Sequence, residues 1–275
     1  MNSNILIIDN SVAFTGAFKS ALKQAKLLSE IGNFMFLIPR GSSNHQILIK
    51  EGFRVYSIPM VEISRSWEKN LLYFPALFVN YFRLRSIVKK EKIEIIQVND
   101  FYNLLGALMK IFGYKGKLIT YVRFLPSSIP VILRKTWIWI AWKFSLRVIC
   151  VSDAVKMQMP KRENIIRIYN PAILEEKHIQ PASVEKTEKI KLLYLANYIK
   201  GKGQEKALEA FAIAYKINKN LLLKFVGGDM GLKKNRKEKD RLLKRAKELK
   251  IEEEIEFADF ALKMVLQLLP HIKVK

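Results

Sequence analysis

Short runs of aliphatic and β-branched residues alternate with longer stretches of helical spacing along most of this 275-residue chain. Six such runs precede residue 152: Ile5–Ile8, Phe34–Ile38, Arg54–Ile58, Glu94–Val98, Lys117–Val122 and Val148–Val151. Most are almost continuously apolar, the pattern of strands covered on both faces. Between the first two, Ala17, Ala21, Ala25 and Leu28 recur at steps of four, four and three, which puts them on one face of a helix. Gly32 is expected to end that helix. Strand, helix and strand in repeated order require a parallel sheet with right-handed crossovers, so the fold class is α/β.

The rhythm breaks at Asn170-Pro171, and a polar stretch follows through Glu188. This predicts a Rossmann-like domain over 1–170, a linker over 171–188 and a second Rossmann-like domain over 189–275. The second series runs from strand Ile190–Leu195 through a Gly-rich turn to a helix from about Gln204, whose buried stripe is Leu208, Phe211, Ala212 and Tyr215. Strand Leu221–Val226, a basic helix and strand Ile255–Phe257 complete it. Three strands are fewer than the usual five or six of a doubly wound sheet, so the second domain reads as incomplete. Two such domains would place a cleft at the carboxyl ends of their sheets.

Composition narrows the class. Half of the residues are hydrophobic and 27% are charged, which supports a packed core and excludes a disordered chain. The single cysteine, Cys150, excludes an internal disulfide framework and suits a reducing compartment. The opening residues lack the basic region and cleavage site of a secretory signal, and the most apolar stretches, Leu71–Val79 and Trp137–Trp142, are too short to span a bilayer. A cytoplasmic protein is therefore expected. The net charge of +23 calls for an anionic partner.

Four segments in order carry a resemblance to a known family: Asn4-Ile-Leu-Ile-Ile-Asp9 with Gly16 at the turn; Val148-Ile-Cys-Val-Ser152; Ile168-Tyr-Asn170-Pro; and Leu193-Tyr-Leu-Ala-Asn197 with Lys202-Gly203 ahead of Ala207-Leu-Glu-Ala-Phe211. Over residues 4 to about 260 the chain resembles the family 4 glycosyltransferases of GT-B fold. The resemblance implies an N-terminal acceptor domain facing a C-terminal nucleotide-sugar domain. It also implies sugar transfer with retention of configuration, of the hexosyltransferase type, without a metal or other cofactor. The implied partners are a nucleotide sugar and a lipid-linked or polysaccharide acceptor in cell-envelope glycan synthesis.

The candidate residues can be read physically beside that likeness. At Lys202 and Gly203 a cation, a flexible backbone and unpaired amides converge on a helix N-terminus, which suits a donor diphosphate; a solvated turn is the alternative. Gly16 opens the first helix, where a glycine lets backbone approach an acceptor or serves a plain tight turn. Asn99 and Asp100 end the fourth strand and either bond sugar hydroxyls or, for Asp100, cap the next helix.

The chain also departs from the family. Asn197 stands where a basic residue is usual. Arg123 stands where many members have a histidine, and can grip a phosphate but not act as a base. The paired glutamates of the donor pocket lie beyond the end of this sequence, and Leu262–Lys275 resembles nothing in the family. The chain by itself is thus expected to be a truncated relative that transfers little or no sugar. A second reading is a non-catalytic membrane-surface or partner-binding module, or half of a split enzyme. His45, His178 and His271 are scattered and suggest neither a metal site nor a triad.

Residues 1–170 hold 25 Lys and Arg against 10 acids, and the remainder 23 against 15, so the acceptor half is the more basic. Two of its helices mix cations with bulky apolar groups: one leads from Leu71 through Tyr81 to Lys92, the other carries Trp137, Trp139 and Trp142 among Arg134, Lys135, Lys143 and Arg147. Such a mixture suits peripheral binding at the inner face of an anionic membrane, or core packing for the tryptophans. Lys233–Lys250 has ten cations and three acids, yet Leu242, Leu243 and Ala246 give it an apolar side, so a solvated helix is expected and no nucleic-acid binding.

Overall fold

The computed structural model describes residues 2–60, 67–171 and 189–258. The chain divides into two units, Met1–Ile173 and Leu174–Lys275. The first contains β1 (Ser3–Ile8), α1 (Gly16–Leu27), β2 (Gly32–Pro39), α2 (Asn44–Lys50), β3 (Arg54–Ile58), α3 (Trp67–Lys90), β4 (Ile95–Val98), α4 (Leu105–Ile111), β5 (Lys117–Val122), α5 (Val131–Phe144), β6 (Arg147–Cys150), α6 (Asp153–Lys156) and β7 (Ile165–Arg167). Its seven described strands form one parallel sheet in the order β3-β2-β1-β4-β5-β6-β7.

Strand residues alternate between two cores, as a period of two requires. Ile7, Phe36 and Ile38 meet Phe18, Ala21 and Ala25 of α1 and Leu48 of α2. Leu6, Ile8, Leu37, Ile96, Val98 and Leu118 meet Tyr81 and Leu84 of α3 and Leu105 and Met109 of α4 on the opposite side. Phe36, Leu37 and Leu84 are wholly buried. Each such side chain contributes about 1.5–3 kcal/mol through its removal from water. This double burial explains the unbroken apolar runs in the sequence.

Two expectations need correction. Helix α1 ends at Leu27 with Leu28 as its C-cap, and Gly32 is the first residue of β2 rather than a helix terminator. It does not have a positive φ; a Cβ there would lie 2.7 Å from Ile5 Cδ1, so glycine is selected by strand packing. Strand β7 has no counterpart among the expected runs. It is three residues long and ends in Arg167, which pairs with Asp153.

The tryptophan helix divides between its two readings. Trp137 is core, against Phe101 and Tyr102, and Trp142 is partly buried with the Arg162 guanidinium 4.5 Å over its ring. Trp139 is exposed. Cys150 is buried at the end of β6, and burial pushes its thiol up to about 11, leaving it unreactive near neutral pH. Among the described residues no helix is long and apolar enough to cross a membrane.

The second unit contains β8 (Ile190–Leu195), α7 (Gln204–Ile217), β9 (Leu221–Val226), α8 (Lys233–Glu248) and β10 (Ile255–Ala258). Its three described strands are parallel, in the order β10-β9-β8. Leu208, Phe211 and Ala212 of α7 are buried against Leu223 and Phe225 of β9 and Leu242 and Ala246 of α8. Apart from Pro171, the expected linker 171–188 lies outside the described residues, as does the segment 262–275.

Candidate functional site

In the first sheet the strand order reverses at β1, which lies between β2 and β4. Loops leaving β1 and β4 therefore head for opposite faces and open a crevice at the carboxyl ends of the strands. A cavity of about 210 Å³ occupies it, lined by Asp9, Asn10, Ser11, Thr15, Ala17, Asn99, Asp100, Tyr102 and Phe124. Its polar groups are held by their own chain. Asp9 Oδ1 accepts the Ser11 amide at 2.7 Å, its Oδ2 accepts Asn99 Nδ2, and Ser11 Oγ lies 3.0 Å from Thr15 Oγ1. Thr15 in turn caps α1, accepting the Phe18 amide at 3.1 Å.

Of the residues singled out in sequence, Asn99 and Asp100 line this cavity directly. Asp100 does not cap α4; its Oδ1 accepts the Arg123 amide at 3.2 Å. Burial pushes its carboxyl up to about 8, against the Arg123 amide and guanidinium, while nearby Asp9 adds to the rise. Asp100 is thus protonated at neutral pH and can donate as well as accept. Gly16 lies between two lining residues, and a Cβ on it would meet nothing within 4 Å.

Arg123 has another place. Its Nε donates to Asn99 Oδ1 at 2.6 Å, and its Nη1 to Ser20 Oγ at 3.0 Å and Asn170 Oδ1 at 2.7 Å. Its guanidinium stacks 4.4 Å from the Tyr121 ring, and Nη2 is buried without a hydrogen-bond partner. The bidentate phosphate grip expected of this arginine is therefore not available, because both edges of its fork face protein. It fixes Asn99 from behind. Ser20 and Asn170 complete the arrangement, Ser20 Oγ donating to Asn170 Oδ1 at 2.8 Å, and no sequence spacing links them to Arg123.

The second unit presents the carboxyl ends of β8 and β9. Gly203 caps α7 with φ +88° and contributes no side chain to the first amides of the helix. Tyr194 Oη donates to the Lys202 carbonyl at 2.5 Å, which fixes that loop while leaving the Lys202 ammonium free of partners among the described residues. Glu205, in the first turn, is held by Arg241 at 2.8 Å, so its charge is countered. Asn197 Oδ1 accepts the Gly228 amide at 3.1 Å, and Gln204 Nε2 donates to the Asn197 carbonyl at 2.8 Å. Sequence reasoning missed Gly227, where a Cβ would lie 1.9 Å from the Ala196 carbonyl oxygen. The adjacent glycine pair directly after β9 was the available signal. Unpaired amides, a helix dipole and a free cation together are the chemistry that attracts an anion.

Among the described residues no three His, Cys, Asp or Glu side chains are grouped so as to hold a metal ion.

Residues 175–269 match the family model described as glycosyl transferases group 1. That match extends into 262–269, correcting the expectation that everything after Leu262 lacks family likeness, and it leaves residues 1–174 unmatched. No curated protein sequence matches the chain. Among solved structures, HepE from Anabaena in complex with UDP and glucose superposes with a TM-score of 0.72 at 16% identity, over 96% of this chain and 71% of that one. The lipopolysaccharide outer core galactosyltransferase WaaB superposes at 0.64 and 14% identity, over 97% and 70%. A putative UDP-N-acetylglucosamine 2-epimerase from Listeria monocytogenes gives 0.55 at 10% identity, over 98% and 72%. The fold is GT-B, the expected class, and its second unit carries the group 1 glycosyl transferase match.

Proposed function

We propose that this chain is a family 4 glycosyltransferase that moves a hexosyl group from a nucleoside diphosphate sugar to a hydroxyl group, with retention. The observation that carries the reading is the N-terminus of α7: Gly203 at φ +88° and a free Lys202 ammonium, inside the stretch matched by the group 1 model. When the anomeric C–O bond to the donor breaks, negative charge grows on the departing diphosphate. Helix amides and an ammonium aimed there stabilise that charge more than they stabilise the intact donor. Transferases and an epimerase share the fold, so fold alone does not select the reaction.

The acceptor binds in the crevice of the first unit. Asn99, Asp100, Ser11 and Thr15 offer hydrogen bonds, and Tyr102 and Phe124, 5.8 Å apart, give an apolar wall, the combination that suits a sugar ring. With Asp9 in its lining and Arg123 turned away, the crevice favours a neutral acceptor over a phosphate or uronate. A lipid-linked or polysaccharide acceptor in envelope synthesis, met at the cytoplasmic face of the membrane, is part of this proposal. The test is calorimetric titration with UDP, GDP, ADP and their sugars. A preference for one nucleotide that is lost in Lys202→Ala supports the reading; no binding of any of them overturns it.

A further inference from the structure

Helix α5 has a second face that is not core. Trp137 and Ala141 are buried, whereas Arg134, Lys135, Trp139 and Trp142 fall together on the other side of the helix and line a cavity of about 490 Å³. Pro160 belongs to that cavity and also to a second one of about 430 Å³, lined by Lys156, Lys161, Arg162 and Glu163, so the two form one groove. Its walls are fixed by the chain itself. Asn164 Nδ2 donates to the carbonyls of Trp142 and Ser145 at 2.8 and 3.0 Å, which clamps the loop after Pro160 to the end of α5. Gln158 Oε1 accepts the Ser127 amide at 2.8 Å and ties the same loop to the turn Pro126–Ser128.

The charge of this groove is uncompensated. Among the described residues Arg134, Lys135, Lys156 and Lys161 make no ion pair, whereas Arg54, Arg167, Arg241 and Arg245 elsewhere each hold a carboxylate. Indole rings among unpaired cations suit a ligand that has both an apolar face and negative charge. A single-stranded nucleic acid and an acidic sugar both meet that description. Position favours the sugar. Ser127 of the groove follows Phe124 of the crevice by three residues, which span at most about 11 Å of backbone. Tyr102 of the crevice also lies 6.3 Å, ring to ring, from Trp137 of the same α5. A saccharide chain with its end in the crevice can therefore continue past Leu125 into the groove.

We infer that the α5 groove binds an anionic saccharide, bearing carboxylate or phosphate, whose C–H face rests on the exposed Trp139 ring and whose acid group meets Arg134 and Lys135. A neutral sugar in the crevice and an acidic one in the groove would then be read separately along one glycan. The choice of a saccharide rests on the acceptor reading above, and the donor site plays no part in it.

The experiment is calorimetric titration of the whole chain with dextran, phosphorylated dextran and oligogalacturonate, and with polyphosphate and oligothymidylate as anions of other kinds. At least one charged saccharide is expected to bind about tenfold or more tightly than dextran, polyphosphate or oligothymidylate, and to weaken with salt. Which of the two binds tells phosphate from carboxylate. Trp139→Ala is expected to weaken that binding about tenfold. Arg134→Gln/Lys135→Gln, which spares the ring, should act in the same direction if the tryptophan variant fails to fold. Lys143→Gln/Arg147→Gln removes two exposed cations that do not line the groove and should leave binding unchanged. An equal loss there would mean general attraction to the net charge of +23 and overturn the inference. So would tighter binding of polyphosphate or oligothymidylate, no binding of either charged saccharide, or wild-type affinity in both groove variants. Loss in Trp139→Ala but not in Phe124→Ala would keep the groove and sink the crevice as acceptor site; the reverse pattern would keep the crevice and sink the groove.

Discussion

Arg123 donates through Nε to Asn99 Oδ1 at 2.6 Å, so a residue expected to face a ligand instead braces one that lines the cavity. Arg123→Lys keeps the charge but cannot reach Asn99, Ser20 and Asn170 together. A loss of about 3 kcal/mol is expected, the scale for hydrogen bonds from a charged group whose buried acceptors are left unpaired. All four tryptophans, at 67, 137, 139 and 142, lie in the first unit, so urea unfolding followed by fluorescence reports that unit alone.

Asp100 predicts a pH dependence. Its carboxyl rises from 3.8 to about 8 in the folded unit, chiefly through burial, so the native state holds a proton that the unfolded chain releases. The stability it contributes is complete below about pH 3.8 and is lost as pH rises through about 8. Asp100→Asn should flatten that decline between pH 5 and pH 8 and leave the first unit more stable at the upper end. Unfolding midpoints of both proteins across that range check the sign.

Lys202→Ala is expected to weaken nucleoside diphosphate binding by about tenfold, the scale of one charge-assisted contact, without changing the unfolding midpoint. The ammonium is exposed and has no partner among the described residues, so its removal costs the fold little. Comparing UDP with uridine isolates the phosphates; an equal loss for uridine would argue against the assigned role.

Gly227→Ala should damage the second unit itself. Its Cβ would fall 1.9 Å from a backbone oxygen, which no side-chain rearrangement can relieve, and about 3 kcal/mol or more of stability is expected to go. Gly203→Ala, strained by φ +88° and by a Cβ only 3.2 Å from Tyr194 Oη at the end of a side chain, should cost less, about 1–2 kcal/mol. Thermal melts by circular dichroism rank the two.

The elements were legible where burial on two faces left unbroken apolar runs; Lys117–Val122 and Leu221–Val226 are strands over those very residues, and Ile190–Leu195 is one too although none of its residues is buried. Gly32 misled because a glycine that stops a helix and one that admits a neighbouring side chain look alike in sequence. Strand β7 escaped because three residues are too few to show a period. At the site, Lys202-Gly203 was visible as a loop meeting a helix, and Asn99-Asp100 as polar residues closing an apolar run. The role of Arg123 was not, since it depends on partners at positions 20, 99 and 170 whose approach only the folded sheet creates.

The contact of Ser20 with Asn170 joins residues 150 positions apart. Closing so long a loop is slow and yields nothing until both ends are in place. During synthesis the first helix and the early strands can form well before residue 170 leaves the ribosome, but the brace behind Asn99 cannot. The crevice is therefore a late product of folding, and a shortened first unit that ends before Asn170 would keep most of its secondary structure while losing the geometry of the cavity wall.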